Sequence, residues 1–221
     1  MSDDFRQIIR QLKGLDEGPL NNFRLKITKP NGELMGWFSP LTIYSITDES
    51  LIQNLTNWRS LHKQCFFTQF DPTPSRTKEW LQTIVIPDDS KILFIIYDVD
   101  GIPIGNYGLR NICKSNAELD NLLIGDSKSS GPFVLVAMKQ FIKWAFLQFG
   151  FNHLKAAIFS HNAPTIFIHK KLGFTTIEEF PMKQRKADDL IQYVPMAVED
   201  KPDAYFLVMC IRSQKSIERN N

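Results

Sequence analysis

Cysteine is scarce in this chain, which has only three among its 221 residues. Cys65, Cys113 and Cys210 lie far apart and no CxxC pair occurs, so neither a zinc-binding module nor a disulfide framework is indicated. Unpaired cysteines of this kind fit a reducing compartment. We therefore expect no metal site and a cytoplasmic location.

An excess of charge of one sign is also missing. The 26 Lys and Arg side chains are balanced by 24 Asp and Glu, which leaves a formal net charge of +2 and no strong field for nucleic acid. The longest apolar stretch, Phe133 to Phe149, is interrupted by Lys139 and Lys143 and is too short and polar to cross a bilayer. The start MSDDFRQ lacks the apolar segment of a signal peptide. We expect neither a nucleic-acid partner nor a membrane partner.

Apolar residues are plentiful, at 43% of the chain with 17 Phe, which is enough for a sizeable core. Strand patterns occur at 23–28, 33–38, 41–46, 92–99, 102–112, 117–124, 154–159, 174–182 and 205–211. Helix patterns occur at 4–12, 48–61, 74–84, 133–149 and 163–172. Hairpins join successive strands ahead of the long helix, so the pattern predicts a mixed α/β domain rather than a doubly wound sheet.

The same patterns suggest how the chain is divided. Residues 1–40 form an N-terminal helix and hairpin extension, residues 41–212 a single domain, and residues 213–221 a flexible tail. The polar stretch 186–204, with two prolines, is predicted to be a long connection without regular structure.

The loop DSKSSGP, Asp126 to Pro132, precedes the longest helix pattern. Its small residues permit close approach of a ligand to the backbone, and the first N–H groups of a helix are unpaired and partly positive. The loop therefore predicts an anion site made of backbone groups, to which Lys128 adds a charge. An ordinary capped helix start would explain the same residues. The loop matches neither a phosphate-binding Walker motif nor the pattern GxGxxG.

The segment NAPTIFIHKKLGF, Asn162 to Phe174, has the start and stop signals of a short helix. Asn162 suits the N-cap, Pro164 the first turn and Gly173 the position after the last turn. These signals are complete as pure structure. The segment nevertheless resembles the Asn-to-Gly-Phe motif of the GCN5-related N-acetyltransferases. Upstream, Lys128 to Phe133 resembles the pyrophosphate loop of that family, and the order and spacing of the two segments also agree with it.

The resemblance implies the fold of that family. This is a twisted, mostly antiparallel sheet of about seven strands with one splayed parallel pair, flanked by about four helices. The resemblance also implies acetyl-CoA or another acyl-CoA as co-substrate, lying between the strands at 117–124 and 154–159. The residues expected to bind it are Leu122, Leu123, Ile124, Lys128, Ser129, Ser130, Gly131, Phe133, Val134 and Asn162.

Three side chains are candidates for proton transfer. His169 stands where relatives usually have a Tyr that protonates the leaving thiolate, so the resemblance implies it as the acid. Glu118 and Asp120 lie two apart on one strand and share a face, where they are candidate bases toward a cationic amine. The alternatives are a helix histidine without a proton role and carboxylates in purely structural contacts.

The acceptor side has four candidate residues: Trp58, Arg59, Tyr107 and Asn121. Trp58 and Arg59 resemble the helical region of family members that acetylate amino sugars on nucleotides, where an arginine beside a diphosphate would make chemical sense. Structural packing of this pair is the alternative.

We therefore predict an N-acyltransferase that moves an acetyl or other acyl group from acyl-CoA to the primary amine of a small molecule by direct attack. The resemblance favours a nucleotide-linked amino sugar as the acceptor. Two other functions stay open, a protein N-terminal or lysine acetyltransferase and a non-catalytic acyl-CoA-binding module. A homodimer also stays open.

Overall fold

The computed structural model describes residues 4–125, 131–196 and 201–213. These residues form one sheet with helices on its faces. The strands are β1 (Leu25–Thr28), β2 (Leu34–Pro40), β3 (Thr68–Gln69), β4 (Ile92–Asp98), β5 (Pro103–Arg110), β6 (Asn116–Ile124), β7 (His153–Phe159), β8 (Thr175–Ala187), β9 (Leu190–Pro195) and β10 (Ala204–Arg212). The helices are α1 (Asp4–Leu12), α2 (Glu49–Leu61), α3 (Pro74–Trp80), α4 (Gly131–Phe149) and α5 (Ala163–Lys171).

The sheet has the order β1-β2-β4-β5-β6-β7-β10-β8-β9-β3. Within the described strands, every neighbouring pair is antiparallel except β6 and β7, which are parallel. The mixed α/β fold with one parallel pair is thereby confirmed. The described residues form ten strands, which exceeds the predicted number of about seven.

The core lies on both faces of the central strand β4. Ile92, Phe94 and Ile96 belong to the larger apolar cluster, whereas Leu93 and Ile95 belong to a second cluster. Successive side chains of a strand point to opposite faces, so the unbroken apolar run ILFII supplies both clusters at once. The larger cluster includes residues of α1 and α4, and the second includes residues of α2.

Three helices begin at the capping residues that the sequence indicates. The side chains of Asp48, Thr73 and Asn162 each accept a hydrogen bond from the backbone N–H three residues later, at 3.0, 3.2 and 3.3 Å. Each bond satisfies one of the N–H groups that the first turn of a helix leaves unpaired. These caps position α2, α3 and α5 around the site described below.

Two segments differ from the prediction. Residues 41–46 do not form a strand, because β2 ends at Pro40 and the chain turns into a 3₁₀ helix over Ile43–Thr47. The predicted connection at 186–204 contains β9, which forms a hairpin with β8 through a turn in which Asp188 has a φ of 49°. The ring centroids of Tyr193 in β9 and Phe159 in β7 lie 5.0 Å apart. This tertiary contact cannot be predicted from a local sequence pattern.

The N-terminal residues are integrated into the same core. Ile9 and Leu12 of α1 are buried in the larger cluster, and the β1–β2 hairpin extends the sheet next to β4. The division at residue 40 stays a prediction, and nearly all of the predicted tail at 213–221 lies outside the described residues. Among the described helices, none is long and apolar enough to cross a membrane.

Candidate active site

The parallel strands β6 and β7 separate partway along their length. Asn116 to Leu119 pair with His153 to Ala156, and no further pair between these two described strands follows. β7 instead stays paired with β10 as far as Phe159. The divergence opens a cleft of about 480 Å³, lined on one side by Leu119 to Leu123 and on the other by Ala156 to Ile158. This is the gap in which the sequence predicts the co-substrate.

A β-bulge in β6 lies at the point of divergence. Asn106 pairs with Leu123 and Gly108 with Asp120, so two residues of β6 oppose the single residue between them on β5. Asn121 takes up the extra length with a φ of 53°, and its carbonyl accepts a hydrogen bond from Asn106 Nδ2 at 2.5 Å. Bulges bend a strand and re-aim its side chains. Asn121 therefore lines the cleft together with Asp120 and Leu122, although regular alternation along a strand would turn it to the other face.

Glu118 and Asp120 share one face of β6, as the sequence predicts, because both contact Arg110. Arg110 Nε donates to Glu118 Oε2 at 2.9 Å, and its Nη1 lies 3.8 Å from Asp120 Oδ1. Asp120 also accepts a hydrogen bond from Asn121 Nδ2 at 2.7 Å. Asp120 lines the cleft and Glu118 does not. Among the described residues, Asp120 is the one carboxylate in the cleft wall.

His169 is buried in the cleft wall, with only 3% of its surface exposed. Its Nδ1 lies 2.8 Å from the carbonyl oxygen of Thr165. A carbonyl oxygen can only accept, so Nδ1 carries the proton and Nε2 carries a lone pair. Nε2 is buried and has no hydrogen-bond partner among the described residues. Burial lowers the pKa of His169, which the bond to Thr165 partly opposes, so the neutral ring is favoured.

The residues expected to bind the co-substrate fall into three groups. Leu122 and Leu123 line the cleft, whereas the carbonyl of Ile124 accepts a hydrogen bond from His62 Nε2 at 3.2 Å. Asn162 caps α5 through its Oδ1, and its Nδ2 has no partner among the described residues.

The third group lies at the start of α4. Gly131 is the first residue of the helix, and a Cβ built there meets no atom within 4 Å. The side chains of Phe133 and Val134 are buried in the core, so their backbone N–H groups are what these two residues can offer a ligand at this helix end. Lys128, Ser129 and Ser130 lie outside the described residues.

The acceptor candidates separate into two positions. Arg59 and Tyr107 line the cleft, but Tyr107 is only 1% exposed and its ring packs on Phe141 at 4.7 Å. Trp58 lies in the second core cluster and outside the cleft wall. Its indole ring is so close to Gly125 that a Cβ added to this glycine would lie 1.7 Å from Trp58 Nε1. The indole therefore packs directly on the backbone at the end of β6.

Several residues of the cleft wall are missing from the sequence prediction. They are Phe66, Phe67, Phe70, Trp80 and Lys91. The first three belong to the segment CFFTQF, whose density of aromatic residues is the one signal that the sequence offered. This segment reaches the cleft because β3 pairs with β9, which is a contact between residues more than 100 positions apart.

The fold and the splayed cleft agree with a known family. The family model described as an acetyltransferase (GNAT) domain matches residues 40–175, which is more than half of the chain. The chain belongs to the GNAT acetyltransferase family. It is therefore an acyl-CoA-dependent N-acetyltransferase with acetyl-CoA as co-substrate, and the prediction of this enzyme class is confirmed. No cluster of three or more His, Cys, Asp or Glu side chains suited to a metal ion occurs in the described part of the chain.

Solved structures with the same fold include several spermidine acetyltransferases. One from Vibrio cholerae, in complex with CoA and spermine, has a TM-score of 0.61 and 15% identity over 81% of this chain and 96% of that chain. A spermidine/spermine N-acetyltransferase from Vibrio cholerae with manganese ions has a TM-score of 0.57 and 14% identity over 85% and 98%. At these identities the likeness shows the fold. No curated protein sequence matches the chain.

Proposed function

We propose that this GNAT acetyltransferase moves an acetyl group from acetyl-CoA to the primary amine of a small molecule held in the β6–β7 cleft. The observation that supports this most is the divergence of the parallel strands after Leu119 and Ala156. It leaves the backbone of β6 beyond Leu119 free from β7, so an extended pantetheine chain can pair there as an added strand would. Bound acetyl-CoA supplies an activated acetyl thioester at the inner end of this gap.

The structure offers suitable groups for each part of the co-substrate. Leu122 and Leu123 present backbone to the pantetheine amides, and Asn162 Nδ2 supplies a donor that no described protein group uses. The N-terminus of α4 at Gly131 offers unpaired N–H groups to the pyrophosphate. We extend this anion site to Lys128, Ser129 and Ser130 from the sequence motif alone.

We assign His169 to accept a proton from the attacking amine. The ring donates through Nδ1 to Thr165, so in its neutral form it has no second N–H to offer the leaving thiolate. The lowered pKa of His169 disfavours the imidazolium that would be needed for acid catalysis. The buried lone pair on Nε2 therefore supports a base, whereas the family resemblance implied an acid.

Asp120 is assigned to hold the acceptor ammonium before its proton is lost. It is the carboxylate in the described cleft wall, and its contact with Asn121 fixes its position next to the bulge. Glu118 pairs with Arg110 outside the cleft, so we assign it to positioning Arg110 rather than to proton transfer.

The acceptor class remains part of this proposal. A nucleotide-linked amino sugar is the acceptor favoured by the helical region around Arg59, and the fold neighbours that bind polyamines provide a competing choice. A protein N-terminus or lysine is the second alternative. A cytoplasmic location is proposed on the basis of three free cysteines.

The experiment is a calorimetric titration of CoA into the wild-type protein and the variants Gly131→Glu and Gly131→Ala. A Cβ at Gly131 meets no atom within 4 Å, so we expect the melting temperatures of both variants to be unchanged. A carboxylate at this helix end repels the pyrophosphate, and we expect the CoA affinity of Gly131→Glu to fall about 10-fold or more while Gly131→Ala binds normally. Equal CoA affinity in all three proteins would refute the proposed placement of the pyrophosphate at the start of α4. Turnover is tested separately, by measuring the release of free thiol with a panel of amines.

A further inference from the structure

The proposed function leaves the chemical class of the acceptor open, and the charges of the cleft wall bear on it. Five ionised side chains line the described part of the cleft. Asp120 is the one carboxylate, and the four cations are Arg59, Arg76, Lys91 and Arg110. A wall with mostly positive charge repels a polycationic acceptor, which would need a wall with mostly negative charge. Which of the cations is free to bind a ligand depends on their partners.

Two of the cations are already neutralised by carboxylates. Arg76 Nη1 lies 2.6 Å from Asp189 Oδ2. Arg110 lies 2.9 Å from Glu118 and 3.8 Å from Asp120. A carboxylate within about 4 Å offsets most of the attraction that either guanidinium would exert on a ligand. These two arginines therefore serve mainly to order the wall.

Arg59 is different, because no described carboxylate lies within 4 Å of its guanidinium. Its Nη2 donates to the carbonyl oxygen of Thr68 at 2.7 Å, and its guanidinium carbon lies 3.2 Å from the centroid of the Phe66 ring. A guanidinium has five N–H donors in a fixed fork, so this stacked and anchored group keeps donors free for a planar or tetrahedral anion.

Burial of Arg59 has an energetic consequence. The partly buried guanidinium has a pKa lowered to about 10 by desolvation, and the charge of Asp120 opposes this lowering. Arg59 and Asp120 are thus near enough to interact through the cleft that both of them line. A partly buried guanidinium that has no described carboxylate within 4 Å gains more from an anionic ligand than an exposed arginine would.

We propose that Arg59 is the anion-binding residue of the acceptor site, so that the acceptor is an amine which also carries a carboxylate or phosphate group. This inference rests on the proposed function, because it concerns the second substrate of the same cleft. The amine lies toward Asp120 and the anionic group lies on Arg59. Lys91, which has no described ion-pair partner, adds positive potential to the same wall.

The arrangement also argues against polyamines. A polyamine would meet Asp120 as the one carboxylate of the described wall, and this carboxylate already lies 3.8 Å from Arg110. Each further ammonium of a polyamine would face Arg59 and Lys91, neither of which has a described carboxylate within 4 Å. Like charges in a partly desolvated cleft repel strongly, so we expect polyamines to be poor acceptors.

The test uses the full chain and matched acceptor pairs. Glucosamine 6-phosphate is compared with glucosamine, 4-aminobutyrate with 4-aminobutanol, and spermidine is added as the polycation. The variants are Arg59→Gln, Arg59→Lys and the control Arg24→Gln, because Arg24 also stacks on an aromatic ring, 5.1 Å from Trp37, but lies outside the cleft wall. Calorimetric binding of glucosamine 6-phosphate to the CoA complex gives a readout besides turnover.

For the wild type we expect kcat/KM at least about 10-fold higher for one anionic acceptor than for its neutral partner, and lowest for spermidine. The pair that responds distinguishes phosphate from carboxylate. Arg59→Gln should lose this preference, Arg59→Lys should keep part of it, and CoA affinity should not change in either. Arg24→Gln should match the wild type.

Two results would overturn the inference while the proposed function stands. One is equal or better use of the neutral or polycationic amines, and the other is an Arg59→Gln variant that binds glucosamine 6-phosphate as the wild type does. The inference is also overturned if glucosamine 6-phosphate does not bind to the wild-type CoA complex and turnover shows no preference for anionic over neutral acceptors. Failure of CoA itself to bind would instead refute the proposed function.

Discussion

Lys13 gives the sharpest prediction for stability. It follows α1, its side chain is completely buried, and its Nζ donates to the carbonyl oxygens of Val85, Ile86 and Asp88 at 2.7, 3.2 and 2.6 Å. These carbonyls end the helical segment that begins at Pro74 and continues through a π turn at 81–85. The ammonium therefore satisfies groups that a helix end leaves unpaired and faces the negative end of its dipole.

The variant Lys13→Met keeps the apolar stem and removes the three bonds. A hydrogen bond to a charged group contributes about 1.5–3 kcal/mol, so the loss amounts to about 5–9 kcal/mol before any offset. The offset is the cost of burying the charge: desolvation lowers the pKa of Lys13 from 10.5 to about 8, which corresponds to about 3 kcal/mol. We expect the free energy of unfolding to fall by about 2–6 kcal/mol, with a melting temperature lower by about 5 °C or more.

Urea unfolding at pH 7 measures this effect against the control Lys29→Met. Lys29 is exposed and pairs with Glu33 at 2.6 Å, so its loss should change the free energy of unfolding by less than about 1 kcal/mol. A decrease below about 1 kcal/mol for Lys13→Met would refute the role of the three hydrogen bonds.

The pH dependence is a second check on Lys13. Because its pKa is lowered in the folded state, the unfolded chain binds more protons between about pH 8 and 10.5. The wild type should therefore gain stability relative to Lys13→Met as the pH rises through this range. If the free energies of unfolding of the two proteins instead converge from pH 8 to pH 10, the buried lysine does not have a lowered pKa.

Two further predictions concern the cleft. Asn162→Asp keeps the oxygen that caps α5 but removes the Nδ2 donor, so the KM for acetyl-CoA should rise about 5- to 10-fold at an unchanged melting temperature. Asn162→Ala should show the same rise in KM and also lose about 1 kcal/mol of stability. Equal KM values for Asn162→Asp and the wild type would remove Asn162 from the co-substrate site. For His169, the lowered pKa predicts that the ratio of kcat/KM between wild type and His169→Gln is large and constant above pH 6.5 and declines only below it; a ratio that declines as the pH rises would identify His169 as an acid.

Local signals predicted most of the secondary structure, because the relevant physics is itself local. The caps at Asp48, Thr73 and Asn162 satisfy N–H groups within their own helix starts, so each is visible in a few residues of sequence. The apolar run of β4 likewise shows a strand buried on both faces. The family resemblance then implied that β6 and β7 lie on the two sides of a cleft.

The errors arose where contacts distant in sequence decide the structure. The bulge at Asn121, which no local pattern predicts, is accompanied by a hydrogen bond that its carbonyl accepts from Asn106 on the neighbouring strand. β9 is stabilised by β8, and β3 by β9, rather than by its own propensity. These features belong to the acceptor side and the chemistry of the cleft more than to the co-substrate side.

The segments that shape the acceptor side extend beyond the part of the chain that matches the family. The match covers residues 40–175 and includes the splayed strands and α5, whereas β9 lies outside it. β9 nevertheless holds the wall of the cleft, since Gln192 pairs with Thr68, the residue whose carbonyl anchors Arg59. Asp189, in the turn just before β9, binds Arg76. Acceptor selectivity in this enzyme should therefore depend on residues outside the matched region, whereas the residues proposed to bind the co-substrate lie within it.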